Sequence, residues 1–372
     1  MTTGILKEPQ GENRVSMLPE IAGQLRKMNQ KVMVESGAGL AAFASDSDYE
    51  HYDITVASRE EVIRSADVIL SIHQPEENLT NKVMIGVYQP LFHFKKVEEW
   101  AKSNNTIFSM DVLPRTTRAQ SMDVLSSQAN IAGYKAVLLA ATEYCRYFPM
   151  FMTAAGSIAP AKVLILGAGV AGLQAIATAK RLGAVVEVFD TRPAVKEEVQ
   201  SLGAKFVEVE GAADASKAGG YAVEQSEEYK QKQQQKIAES VAKADIIITT
   251  AQIPGKKAPI LITDEMLNRM RAGSVVVDLA AATGGNTNYT KNNEIVMING
   301  VKIIGNSNLQ CNQPSDASKL YGKNIFNFLK LIIDKEGNLY LNFEDDLVKE
   351  TCIAHGGNIT NERIKALIST SN

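Results

Sequence analysis

Residues 162–192 read KVLILGAGVAGLQAIATAKRLGAVVEVFDTR, and their order decides the fold. Val163 to Leu166 is an unbroken apolar run, the pattern of a parallel strand buried on both faces. Gly167, Gly169 and Gly172 follow with the spacing G-x-G-x-x-G. The first glycine permits a tight turn, the second lets a pyrophosphate approach the backbone, and the third lets the following helix pack closely on the strand. The start of that helix offers unpaired N–H groups and partial positive charge to phosphates. A second apolar strand ends at Asp190, 18 residues after Gly172. A carboxylate there can accept both hydroxyls of an adenosine ribose. The segment therefore predicts a dinucleotide site built on Gly167, Gly169, Val170, Gly172 and Asp190.

Working outward, 372 residues suffice for about two domains. A net charge of −3 gives no electrostatic case for nucleic acid. Cys145, Cys311 and Cys352 are scattered and form no C-x-x-C, so neither a disulfide framework nor a zinc site is expected. The first residues, MTTGILKEPQGENRV, lack the apolar core of a signal peptide. No apolar run approaches the roughly 18 to 20 residues that span a bilayer. A soluble chain is expected, with any membrane contact made through a partner.

Alternating short apolar runs predict strands at 4–6, 31–35, 68–72, 85–88 and 106–110, with helices at 18–28, 60–65 and 97–103. This pattern argues for a parallel sheet covered by helices. Residues 121–147 carry helical spacing broken only by Gly133 and read as a long helix joining two domains. Further strands are expected at 204–209, 245–250, 273–279 and 301–304, a polar helix over 227–244, and a helix over 315–333 returning to the first domain. The fold class is thus α/β, two Rossmann-like domains with parallel sheets joined by long helices. The first comprises residues 1–130 plus 313–372, and the second residues 131–312. Within the second lies GAADASKAGGYAVEQS, residues 211–226, which reads either as a disordered surface loop or as a lid hinged at Gly219-Gly220 beside Tyr221.

Five separated motifs then carry a resemblance. They are KEPQGENRVSMLPE at 7–20, RTTRAQSMDVLSSQANIAGY at 115–134, AGGYA at 218–222, TTAQIPGKKAP at 249–259 and DLAAATGGN at 278–286. Together they resemble the alanine dehydrogenase/transhydrogenase family, in the branch of the proton-translocating NAD(P) transhydrogenases. The resemblance implies an NAD(H)-binding α subunit, the soluble leading segment of a split chain. It implies homodimers, an NADP(H)-binding β subunit and membrane subunits that couple hydride transfer to proton movement. It also implies a cytoplasmic protein held at the inner membrane by those partners.

In that family a loop after the first domain contacts the dihydronicotinamide. Its residues map onto Arg115, Gln120 and Asp123, the implied catalytic group, with Thr116, Thr117 and Ser126 alongside. Gln120 can both donate and accept, as a carboxamide or ribose requires. Read without the family, these residues are a helix-start cluster, with Ser121 or Asp123 as a cap and Arg115 on the surface. Further implied cofactor contacts are Thr191, Arg192, Gly220, Tyr221, Gln233 and Gln252, although the family residue at the last position is often apolar. Asp190 opposes a ribose 2′-phosphate and favours NAD(H) over NADP(H). The alternative reaction, oxidation of alanine or another amino acid with NAD, needs an acid/base pair. The family's lysine and histidine fall near Ser71 and Gln89-Pro90, where neither residue type stands. His73 and His93 read as surface histidines. Direct transfer between two nicotinamide rings needs mainly positioning.

Overall fold

The computed structural model describes residues 1–209, 226–253 and 255–371. It divides into two compact units, Met1–Gln128 with Cys311–Asn372, and Ala129–Gln310. The chain leaves the first unit within the helix Val124–Glu143.

In the first unit, eight strands form one sheet. Six are parallel, in the order Thr106–Ser109, Val83–Gly86, Val68–Leu70, Thr2–Ile5, Lys31–Glu35, Thr55–Ala57. Cys352–His355 adds antiparallel to Thr106–Ser109, and Asn358–Ile359 pairs beyond it. Apolar clusters cover both faces, one around Ile5, Leu70, Phe108 and Phe328, the other around Leu6, Ile69, Met84 and Ile353. The helix Pro314–Ile332 belongs to this unit and buries Tyr321, Ile325, Phe328 and Leu329.

The second unit holds a seven-stranded sheet ordered Lys205–Phe206, Val185–Phe189, Lys162–Leu166, Ile246–Thr249, Val275–Asp278, Val301–Gly305, Glu294–Ile298. All but the last are parallel. Ile246, Ile247 and Ile248 are all fully buried, so both faces of that strand are covered. Each such isoleucine contributes about 1.5–3 kcal/mol of burial. Gly133 has a packing reason: a Cβ there would lie 2.1 Å from the Ala171 carbonyl oxygen, so the helix Val124–Glu143 can approach Val170–Arg181 only at a glycine.

Several expectations need correction. Both sheets carry antiparallel edges that the alternating pattern does not suggest. The edge Glu294–Ile298 is a hairpin arm turned by Asn299 and Gly300, at φ 50° and 78°. An Asn-Gly pair with both residues left-handed is the strongest local hairpin signal, so this edge is legible in the sequence. The long helix stops at Glu143 rather than Tyr147, and the third strand of the second unit is only Lys205–Phe206. After the helix comes a small hairpin, Phe151–Thr153 with Gly156–Ile158, exposed along its whole length.

Candidate functional site

The glycine turn of the second unit is built by steric necessity. Gly167 has φ 107°, and a Cβ on it would sit 2.4 Å from Thr250 Oγ1. Gly172 could not carry one either, because its Cβ would lie 1.9 Å from the Gly167 carbonyl oxygen. Gly169 is different. It is the N-cap of the helix Val170–Arg181, and a Cβ there would meet no protein atom within 4 Å. The space in front of the helix terminus is open, which is where an anion would use the free N–H groups. Val170, the first helical residue, is 37% exposed at that mouth.

Asp190 follows the strand Val185–Phe189 and is buried. Its Oδ2 accepts the Ala168 N–H at 2.7 Å, tying the acid to the glycine turn. Arg192 donates to it three times, from the backbone N at 2.8 Å, Nε at 2.9 Å and Nη2 at 2.7 Å. These hydrogen bonds hold the Arg192 guanidinium above its ordinary pKa. A carboxylate has about four lone-pair positions, and all are engaged. A ribose diol would therefore have to displace part of the guanidinium. Arg192, close to Asp190 in sequence, thus matches its charge locally, which weakens the sequence argument against a 2′-phosphate. Thr191 is half-buried beside this pair.

The strand order, though not the strand direction, reverses in the sheet between Lys162–Leu166 and Ile246–Thr249. Open α/β sheets bind ligands at the carboxyl ends of strands flanking such a point. Gln252 is exposed there, with Nε2 donating to the Leu279 carbonyl at 2.9 Å. Gln233 is half-buried on the helix Glu227–Val241. Gly220 and Tyr221 lie outside the described residues.

In the first unit Arg115, Thr116, Thr117 and Gln120 are exposed, the last two on the short helical turn Thr117–Met122. Asp123 does act as a cap: its carboxylate accepts the Ser126 N–H at 2.9 Å and the Ser126 hydroxyl at 2.6 Å. The turn is pinned from both sides by residues that sequence reasoning passes over. Arg118 forks onto Asp345 at 2.6 and 2.7 Å, and Asn324 and Asn327 donate to the Ser121 carbonyl at 2.8 and 3.1 Å. With Ala119 and Met122 buried beneath, Gln120 projects from a fixed platform. No local pattern signals these partners, which come from more than 200 residues away.

The same unit has a polar network around the motif at 7–20. Glu12 holds Arg14 through both oxygens and meets His73 Nε2 at 2.9 Å. Burial penalises the Glu12 charge, but these hydrogen bonds outweigh it and hold the carboxyl far below the usual range. His73 is a surface histidine, as its sequence reading has it, and it also partners Glu12. Cys311 Sγ lies 3.2 Å from Glu12, and burial pushes its thiol up to about 12. Glu8 faces a cavity of about 300 Å³ and accepts the N–H groups of Ile72 and His73. Burial pushes its carboxyl up to about 7 despite those bonds. Its protonated form therefore stabilises the fold fully below the ordinary 4.5, and this contribution is lost as pH rises through about 7. Urea unfolding at about pH 5 and about pH 8 should show that loss in the wild type and less of it in Glu8→Gln. Equal pH dependence in both would contradict the assignment.

Comparison with known proteins covers nearly the whole chain. The sequence pattern of the Alanine dehydrogenase/PNT N-terminal domain matches residues 4–132, and that of the C-terminal domain matches residues 136–362. The first of the separate polypeptides that make up the NAD(P) transhydrogenase subunit alpha of Rhodospirillum rubrum is 45% identical over 363 residues, 94% of each chain. A solved transhydrogenase from Sinorhizobium meliloti superposes with a TM-score of 0.88 at 44% identity, covering 96% of this chain and 100% of the other. An L-alanine dehydrogenase structure gives a TM-score of 0.82 with both chains fully covered, but at 21% identity it speaks for the fold alone.

Proposed function

The chain belongs to the alanine dehydrogenase/PNT family, and we propose that within it this protein is the NAD(H)-binding component of a proton-translocating, Re/Si-specific transhydrogenase. Hydride passes directly between NAD(H) held here and NADP(H) held by a partner β subunit. Membrane subunits couple that transfer to proton movement. The observation that carries this reading is the glycine turn, with its open helix terminus at Gly169 and the acid Asp190 tied to it through Ala168. Near-full-length similarity to a transhydrogenase subunit alpha polypeptide supports the reaction class.

In this reading Gly167, Gly169, Val170 and Gly172 hold the pyrophosphate. Asp190, Thr191 and Arg192 serve the adenosine ribose. Gln120, Arg115 and Asp123, with Thr116, Thr117 and Ser126, position the nicotinamide. Gly220, Tyr221, Gln233 and Gln252 complete the cofactor contacts. Bound NAD(H) supplies the hydride chemistry, while the side chains orient the ring and exclude competing reactions. Titrating the isolated chain tests the cofactor: NADH should bind more tightly than NADPH, and equal affinities would overturn the assignment. Gln120→Asn should leave NADH affinity within about tenfold, ~1.4 kcal/mol, while slowing hydride transfer in the reconstituted complex. Unchanged transfer rates would remove Gln120 from the nicotinamide.

The proposal extends to assembly. Among the described residues no helix is long and apolar enough to cross a membrane, so attachment at the cytoplasmic face of the inner membrane would run through partner subunits. The exposed hairpin and the segment leading into it present Tyr147, Met150, Phe151, Met152 and Ile158, between 40% and 74% exposed. Clustered apolar residues of this kind support self-association, and we assign them to a homodimer. Met152→Asp should shift the chain toward monomer in analytical ultracentrifugation. A wild type that is already monomeric would dismiss this element of the proposal.

A further inference from the structure

We propose that Asn286 is a positioning residue for the nicotinamide half of the dinucleotide, acting by fixing the backbone at Ala251 and Gln252. The inference rests on the reading that this unit binds NAD(H). Asp190 and the strand Val185–Phe189 lie on one side of the reversal point in the sheet. A dinucleotide with its adenosine there must lay its other half toward Ile246–Thr249 and Val275–Asp278. The segments leaving those two strands are Thr250–Gln252 and Leu279–Ala281.

Asn286 is fully buried and stitches these segments together. Its side-chain amide pairs with both backbone groups of one residue: Oδ1 accepts the Ala251 N–H at 3.2 Å, and Nδ2 donates to the Ala251 carbonyl at 2.9 Å. Nδ2 also donates to the Pro259 carbonyl at 2.8 Å. Its own backbone carbonyl accepts Leu261 N–H and Ile262 N–H at 2.9 and 3.1 Å. Its backbone N–H donates to Asp278 Oδ2 at 2.6 Å. Asp278, likewise fully buried, also accepts Ala280 N–H at 2.9 Å and the Thr290 hydroxyl at 2.7 Å. Gly285 lets the chain pass: its φ is 77°, and a Cβ would meet Asp278 Oδ2 at 2.9 Å. Gln252, bonded to the Leu279 carbonyl, closes the ring. Every polar atom of Asn286 is thus spent on holding two loops, and the exposed outcome is the edge formed by Ala251 and Gln252.

Binding of ADP and of NADH separates this role from general scaffolding, because ADP lacks the nicotinamide half. Asn286→Ala and the isosteric Asn286→Asp should bind ADP within about twofold of wild type and NADH about tenfold more weakly. Equal loss for both ligands would assign Asn286 to the scaffold alone, and no loss for either would end the proposal. Should Asn286→Ala not fold, Asn286→Asp decides by the same comparison, since it keeps the shape and reverses two donors. Failure of the wild type to bind NADH would instead defeat the underlying reading.

Discussion

Gly172→Ala should lose at least about a hundredfold in NADH affinity, about 2.7 kcal/mol or more. The added Cβ would stand 1.9 Å from the Gly167 carbonyl oxygen and 2.9 Å from its carbon. Those are backbone atoms, so no rotamer relieves the clash. Either the helix Val170–Arg181 withdraws or the turn at Gly167 opens. Both movements carry the N-terminal N–H groups away from the phosphates, and each charge-assisted hydrogen bond lost costs about 1.5–3 kcal/mol. Gly169→Ala separates fold from site: its Cβ meets no protein atom, so stability should hold while NADH binding weakens. Fluorescence titration with NADH measures both variants, with thermal unfolding as the companion. A Gly172→Ala protein binding NADH within about threefold of wild type would mean that the pyrophosphate does not lie on this turn.

The second large effect concerns cofactor choice. Asp190→Ala should lower the preference for NADH over NADPH by about a hundredfold. Arg192 donates three hydrogen bonds to Asp190, two of them from the guanidinium. With the carboxylate gone, NADH loses its ribose acceptor, and the guanidinium turns to a ribose 2′-phosphate, which Arg binds well through paired donors. Asp190→Ala with Arg192→Ala should lose the gain in NADPH while keeping the loss in NADH. If the single variant leaves the ratio unchanged, the Asp190–Arg192 pair has no role in discrimination.

What the sequence makes legible here follows from how local each cause is. Gly172 is forced by a clash with the Gly167 carbonyl within one turn and Gly167 by its φ of 107°, so their spacing marks the motif, while the Thr250 hydroxyl that also crowds Gly167 is distant in sequence. The strand Lys31–Glu35 lies where its apolar alternation puts it. The Asn299-Gly300 hairpin is equally local, yet a reading tuned to parallel strands and helices passes over it. By contrast, the platform under Gln120 depends on Asn324, Asn327 and Asp345, and the Glu8–Glu12–Arg14 network on His73 and Cys311. Contacts across such separations leave no periodic trace. Asn286 lies between these cases: the double glycine at 284–285 flags a constrained turn, but only the fold reveals that Ala251 is its partner. Even Asp190, which stands after its strand as its spacing requires, hides its pairing with Arg192 two residues away.

In the proposed function this chain brings one nicotinamide to a second held by a partner. The direct test mixes the purified protein with membranes carrying the presumed NADP(H)-binding partner and follows NADPH-dependent reduction of an NAD analogue. Transfer should run well above either component alone and be slowed by Gln120→Asn, with NADH affinity largely kept. No activity beyond the separate components, or NADH formed from alanine by the chain on its own, would contradict it.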